Sequence, residues 1–171
     1  MFRNCALVSF CACALLGAAT TAGSNVSKAD KTFLKTTAQA DMIQAHEGQL
    51  AATQATSQSV KDCAQKLAQD DSTAYGQLLQ LASKIGESVP RGVDIRHDPA
   101  AEQLNKLKGR QFDSRFVQDE IRAEQRIIAD FRREAAHGQS TDVKSWANSE
   151  LPTLQNDLHA LQALAGTKGK S

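Results

Sequence analysis

The sequence is poor in residues that mark β-structure and has little net charge. Aromatic residues make up 5% of its 171 residues, there are only three prolines, and the formal net charge is +1 at pH 7. Few aromatic residues argue against a β-sandwich or barrel. A near-neutral chain also lacks the excess positive charge that nucleic acid binding requires, so we predict no nucleic acid partner. The frequent Ala, Gln, Leu, Lys and Glu residues instead predict an all-α domain.

Motifs of well-known catalytic sites are absent as well. The sequence has no Gly-rich phosphate loop, no His-Glu-x-x-His, no Cys-x-x-Cys and no nucleophile elbow. Each of these motifs would have predicted a particular chemistry. We therefore assign no catalytic and no cofactor-binding residues, and we favour a protein that acts without catalysis.

The first 22 residues have the pattern of a secretory signal peptide. One positive charge at Arg3 precedes an apolar run over residues 6–19, and small residues follow. This order is typical of an export signal, and cleavage is predicted after Ala19 or Ala22. The run is short for a membrane span, which disfavours the alternative of an uncleaved transmembrane anchor. We predict a periplasmic or otherwise exported protein with no transmembrane span in the mature chain.

Three of the four cysteines lie within this segment, so Cys63 is the only thiol of the predicted mature chain. An internal disulfide is then excluded. Residues 23–29 are predicted to form a short disordered linker, residues 30–166 the folded domain, and residues 167–171 a flexible tail.

Helical periodicity predicts four long helices in the domain. They are expected at about residues 30–56, 58–84, 112–137 and from 141 onward, with Gly86 and Gly138 at two of the helix ends and a kink at Pro152. The segment GESVPRGVDIRHDPAAEQ reads as a connector, with a short helix near residues 100–107. Two hairpins joined by a long connector predict a ferritin-like four-helix bundle with one crossover.

One acidic residue falls within the apolar stripe of each long helix. These residues are Glu47, Asp71, Glu124 and Asp157. If the connector runs the length of the bundle, the four acids share a layer, because each lies at a similar helical rise from one end. A carboxylate inside an apolar bundle must pair with a cation, take up a proton or reach water.

Two interpretations of this layer follow. Oxygen ligands suit a hard divalent metal ion, so the four acids are candidate metal ligands, with His46 and Glu120 as helpers. The chain lacks the pair of Glu-x-x-His motifs that di-iron bundles carry on two helices. The alternative is that water, neighbouring Lys or Arg side chains, or protonation satisfy the acids.

Four stretches carry a resemblance to a known family. They are DKTFLKTTAQADMIQAHEGQLA, VKDCAQKLAQDD, GRQFDSRFVQDEIRAEQRIIADFRREA and WANSELPTLQNDLHALQAL. Together they resemble the bacterial domain-of-unknown-function 4142 family, and the Gly-x-x-Phe-Asp and Leu-Pro-Thr-Leu segments are the most specific marks.

The resemblance implies an exported, ferritin-like helical bundle of the cell envelope. It also implies that the second, third and fourth long helices each carry an inward histidine, at the positions of Asp71, Glu124 and Asp157 here. A change from imidazole to carboxylate keeps these positions polar and shifts their preference toward hard cations. Two hypotheses result: a non-enzymatic binding or structural protein of the envelope, with another envelope protein as its partner, or a metal-binding or redox bundle.

Overall fold

A computed structural model of the chain describes residues 25–93 and 99–167 and contains five α-helices there. They are α1 (Lys28–Gln54), α2 (Gln58–Lys84), α3 (Pro99–Asn105), α4 (Gly109–His137) and α5 (Thr141–Thr167). The predicted signal peptide lies outside the described residues. None of the helices in the described part is long and apolar enough to cross a membrane.

The all-α prediction is confirmed, and the helix boundaries differ from the predicted ones by a few residues. Helix α1 begins at Lys28, inside the segment predicted to be linker, because Ser27 forms a capping box with Asp30. Helix α2 has the predicted bounds, and the chain leaves it through Gly86 at a φ of 73°. Helix α5 continues through Pro152.

The helices form two antiparallel hairpins, α1–α2 and α4–α5. The hairpins pack so that α1 lies against α4 and α2 lies against α5. Hydrogen bonds place the start of α4 beside the α1–α2 turn and the start of α1 beside the α4–α5 turn. The end of α2 and the start of α4 therefore lie at opposite ends of the bundle, and α3 lies between them in the chain, which confirms the predicted crossover.

A buried aspartate at the start of each hairpin closes the turn of the other one. The carboxylate of Asp113 accepts hydrogen bonds from the backbone N–H groups of Thr56 and Ser57, both at 2.9 Å. The carboxylate of Asp30 accepts hydrogen bonds from the N–H groups of Gln139 and Ser140, at 2.9 and 3.1 Å. These bonds satisfy donors that the helix ends leave unpaired, and they join the two hairpins at both ends.

Two separate apolar clusters fill the ends of the bundle. The first core lies near the α1–α2 turn and contains Ala51, Ala55, Val60, Ala64, Leu67, Leu104, Phe112, Phe116, Val117 and Leu161. The second core lies near the α4–α5 turn and contains Phe33, Leu34, Ala38, Leu78, Phe131, Val143, Trp146 and Ala147. Phe33, Phe131 and Trp146 pack as an aromatic trio, with ring centroids 5.0 to 6.1 Å apart.

Glycine allows α1 and α2 to approach closely at one point. A Cβ atom at Gly48 would lie 2.8 Å from the carbonyl oxygen of Ala64 and 3.0 Å from the Cβ of Ala68. Gly76 on α2 has open space at the corresponding position.

We expect Gly48→Ala to lower the free energy of unfolding by about 1–3 kcal/mol, because the two helix backbones must move apart. Gly76→Ala is the matched control, and it should raise this free energy by about 0.5–1 kcal/mol through helix propensity alone. Urea unfolding of the two variants measures both changes. Equal effects of the two substitutions would contradict the close approach.

Candidate carboxylate site

A layer of acidic side chains separates the two cores. On each long helix the buried residues pass from one apolar cluster to an acid and then to the other cluster. The carboxylate layer consists of Asp41, Asp71, Glu120, Glu124 and Asp157, each with at most 7% of its surface exposed. The bundle is therefore apolar at both ends and acidic in the middle.

The carboxyl of Asp71 interacts electrostatically with every other acid of the layer. Burial raises the pKa of its carboxyl well above the ordinary value, and the charges of Asp41, Glu124, Glu120 and Asp157 raise it further. Glu124 also interacts with every other member of the layer, since its charge raises the pKa of Asp41, Asp71 and Glu120, and the charge of Asp157 raises its own pKa. The sequence-predicted residues Asp71, Glu124 and Asp157 thus lie in the same layer.

The other acids of the layer also favour the protonated form. Burial, followed by the charges of Glu150 and Glu124, raises the pKa of Asp41 well above its ordinary value. Burial and the charge of Glu47 raise the pKa of Glu120 to about 8. Burial and the charge of Asp157 raise the pKa of Glu124 to about 8. At neutral pH, much of the layer is therefore uncharged carboxylic acid.

One lysine provides a positive charge at the edge of the layer. The Nζ atom of Lys66 lies 2.6 Å from Oδ1 of Asp157 and also binds Asp70. Burial lowers the pKa of Lys66, but its hydrogen bonds to Asp157 and Asp70 outweigh that effect and raise it. Asp157 is consequently the acid of the layer that has an ionic partner among the described residues.

Several buried oxygen atoms of the layer have no hydrogen-bond partner in the described part of the chain. They are Oδ2 of Asp41, Oδ2 of Asp71, Oε1 of Glu120, Oε2 of Glu124 and the amide oxygen of Gln44. Buried polar atoms normally have partners, so these atoms mark a place that protons, water or a cation would complete. Among residues 25–93 and 99–167, no three His, Cys, Asp or Glu side chains converge in an arrangement that could hold a metal ion.

The structure places the remaining predicted residues at the edge of this layer. Glu47 is only partly buried, and its charge helps to raise the pKa of Glu120 in the layer. His46 is exposed on α1. The predicted stripe of α1 included Ile43, which is only partly buried, whereas beyond Leu34 the helix buries a line of small and polar residues.

Asp41 belongs to that line and was not predicted from the sequence. An internal repeat could have revealed it, because the two hairpins begin with matching Asp-x-x-Phe segments, Asp30–Phe33 and Asp113–Phe116. Counted from these segments, Asp41 in the first hairpin corresponds to Glu124 in the second. The two acids are equivalent members of a duplicated pattern.

The chain has one Glu-x-x-His segment, formed by Glu134 and His137 at the end of α4. Glu134 is buried beside Asp30. Burial, followed by the hydrogen bond between the two side chains, raises the pKa of Glu134 to about 7. His137 is exposed. This pair lies at the end of the bundle near the α4–α5 turn, away from the carboxylate layer.

A family model identifies the chain. The domain of unknown function DUF4142 matches residues 16–164, which include nearly all of the described helices. The chain belongs to the DUF4142 family. Among curated proteins, no sequence matches this DUF4142 chain.

Solved structures with the same fold come from three bacteria. A DUF305 fragment from Deinococcus radiodurans has a TM-score of 0.73 and 13% identity, over 83% of this DUF4142 chain and 98% of that chain. A "putative spore coat protein" from Bacillus halodurans has a TM-score of 0.68 and 10% identity, over 84% and 90% of the two chains. A conserved hypothetical protein from Mycobacterium tuberculosis has a TM-score of 0.60 and 11% identity, over 81% and 91%.

These similarities confirm the ferritin-like bundle for the DUF4142 chain. At such low identities they show the fold alone. The chemistry of the carboxylate layer must therefore be argued from the residues of this chain.

Proposed function

We propose that this DUF4142 protein is exported to the bacterial cell envelope and works there by binding, without catalysis. The carboxylate layer is the observation that carries the proposal: five buried acids face one another between two apolar cores, with one lysine at their edge. Such an arrangement costs stability unless protons, water or a bound species complete it. The signal pattern of residues 1–22 supports export.

Export is tested by expressing the complete chain with its own N-terminus and fractionating the cells. We expect the mature protein in the periplasmic fraction, with a new N-terminus at Thr20 or Gly23. The control replaces apolar residues of the 6–19 run with charged ones, which should retain the chain in the cytoplasm. A native chain that keeps Met1 and stays in the cytoplasm would contradict the proposal.

A metal-binding role is the second candidate function. The buried, unpartnered oxygens of Asp71 and Glu124 favour it, because oxygen donors of this kind are ligands for hard divalent cations. Asp157 and the more exposed Glu47 would complete the set, with Glu120 and His46 near by. Side-chain rotations would have to bring these donors together before an ion could be coordinated.

Elemental analysis and thermal melting test this candidate on protein purified without chelator or metal-affinity resin. A bound ion should be stoichiometric, and Mg²⁺, Ca²⁺ or Mn²⁺ should raise the melting temperature, since binding to the native state stabilises it. Asp71→Asn with Glu124→Gln should abolish both effects. The control Asp62→Asn changes an exposed acid of α2 and should leave both effects intact. Protein without metal and without a melting shift would exclude the metal role and leave an envelope protein as the partner to seek.

A further inference from the structure

A groove of about 410 Å³ runs along the surface between α1 and α4. Its volume lies in the range of about 300–1,000 Å³ that is usual for small-molecule sites. On α1 its lining extends from Thr36 to Glu47, about 16 Å at the helical rise of about 1.5 Å per residue. The groove is therefore long and narrow, and it opens where the two hairpins meet.

The middle of the groove is apolar. Its walls are formed by the side chains of Ala40, Ile43, Ala123 and Ile127, and Phe131 lies at the end nearer the second core. Ile43 and Ile127 are only partly buried. A ligand with a hydrocarbon body would bury this surface, with a gain of about 25 cal/mol per Å² of apolar area.

The other end of the groove reaches the carboxylate layer through two buried polar side chains. Nε2 of Gln44 donates a hydrogen bond to Oε2 of Glu120 at 3.4 Å. Oε1 of Gln44 and Oε1 of Glu120 have no partner among the described residues. The two residues are 5% and 2% exposed, and both line the groove. When the carboxyl of Glu120 is ionised, both of these buried oxygens are acceptors and call for a hydrogen-bond donor.

The electrostatics of that end select a positively charged donor. Glu47 lines the same end, and its charge acts on Glu120. Asp119 is neutralised by its ion pairs with Arg115 and Arg122. The other arginine of the lining, Arg126, is exposed to water at the rim. Among the described residues of the lining, the buried end of the groove thus has acceptor oxygens beside carboxyl groups that raise the pKa of Glu120, and both arginines, Arg122 and Arg126, are exposed.

We propose that this groove binds a small amphiphilic primary amine. Its ammonium group donates hydrogen bonds to Gln44 and Glu120, and its alkyl body lies along the apolar walls. This activity goes beyond the envelope role and the metal role proposed above, since it uses a surface groove and requires no metal ion.

Binding replaces a protonated acid with an ion pair. The pKa of Glu120 is about 8, so at pH 7 the incoming ammonium displaces the carboxyl proton of Glu120 to solvent. The ionisable groups that act on Glu120 are Glu47 on α1, Cys63 and Asp71 on α2, and Asp119 and Glu124 on α4. An alkylammonium, like the side chain of lysine, keeps its proton up to a pH of about 10. Affinity should therefore rise between pH 6 and pH 9 as Glu120 ionises.

Calorimetric titration of the purified protein with octylamine, 1-octanol and octanoate tests the proposal. We expect octylamine to bind at least tenfold more tightly than 1-octanol at pH 8, and octanoate to bind most weakly. Glu120→Gln should reduce octylamine affinity at least tenfold without changing octanol affinity. Asp62→Asn removes an exposed acid of α2 that does not line the groove, and it should change neither affinity.

Ala123→Leu fills the apolar part of the groove and should weaken octylamine and octanol together. Its melting curve shows whether the variant is folded. Three results would overturn the proposal: no saturable binding of octylamine, equal binding of octanoate through the rim arginines, or an unchanged octylamine affinity in a folded Glu120→Gln variant.

Discussion

Replacing Asp113 with alanine should lower the free energy of unfolding by about 3 kcal/mol, a large effect for one residue on α4. The carboxylate of Asp113 is 1% exposed and is the acceptor for two backbone N–H groups at the α1–α2 turn. Hydrogen bonds to charged groups contribute about 1.5–3 kcal/mol each, and alanine would leave both donors unpaired. Urea unfolding followed by circular dichroism measures the loss.

Two further variants separate capping from a general effect of removing charge. Asp113→Asn retains one side-chain acceptor and should lose about half as much stability as alanine. Asp62→Ala removes an exposed acid of α2 and should change stability by no more than about 0.5 kcal/mol. If Asp113→Ala were as mild as Asp62→Ala, the turn contacts would not stabilise the protein.

Raising the pH from 5 to 9 should lower the free energy of unfolding by several kcal/mol, because each unit between the unfolded and the folded pKa of a group contributes about 1.4 kcal/mol. Burial raises the pKa of Glu120 and Glu124 to about 8 and that of Glu134 to about 7, whereas these groups have ordinary values when the chain is unfolded. The folded protein therefore holds protons that the unfolded chain has already released. Stability from these groups is complete below their ordinary pKa of 4.5 and is lost as the pH passes their folded values.

Asp30 acts in the opposite direction at lower pH. Burial raises its pKa, but hydrogen bonds from Glu134 and from the N–H groups of Ser27 and Gln139 outweigh burial and bring it below 3.8. Its contribution to stability is therefore present above that value and is lost on further acidification. The decline between pH 5 and pH 9 belongs to the buried acids whose pKa is raised, which include Asp41 and Asp71 as well as the three glutamates.

The double variant Glu120→Gln, Glu124→Gln should flatten the pH dependence and be more stable than the native chain at pH 9. Amides cannot ionise, and they are similar in size to the acids they replace. Asp62→Asn serves as the control with an unaltered slope. A native protein that grows more stable from pH 5 to pH 9 would show that the layer is ionised and compensated.

The sequence was sufficient for the fold because the long helices carry strong periodicity and clear end signals. It also identified Asp71, Glu124 and Asp157 as inward acids, because each interrupts a stripe of larger apolar residues. It could not identify Asp41 in the same way. Helix α1 packs closely on α2 through Gly48, so beyond Leu34 its buried line consists of small and polar residues, while Ile43 lines the groove beside α4.

Helical periodicity could not identify the roles of Asp30 and Asp113 at the turns, for another reason. Their contribution to stability depends on contacts between hairpins that are far apart in the chain, whereas a helical pattern indicates only which face of a helix is buried. The repeated Asp-x-x-Phe segment is a signal of a different kind. The same number of residues separates Asp30 from Ser57 as separates Asp113 from Ser140, so the repeat holds over a whole hairpin.

This reciprocal arrangement has a consequence for how the protein folds. Each hairpin supplies the carboxylate that accepts hydrogen bonds from the backbone N–H groups at the other hairpin's turn. A hairpin formed alone therefore lacks this acceptor at its turn, and its own aspartate lacks these donors. Neither half gains its full stability before docking. Unfolding should therefore be a single all-or-none transition, in which probes at Trp146 in the second core and at Cys63 beside the first core report the same midpoint.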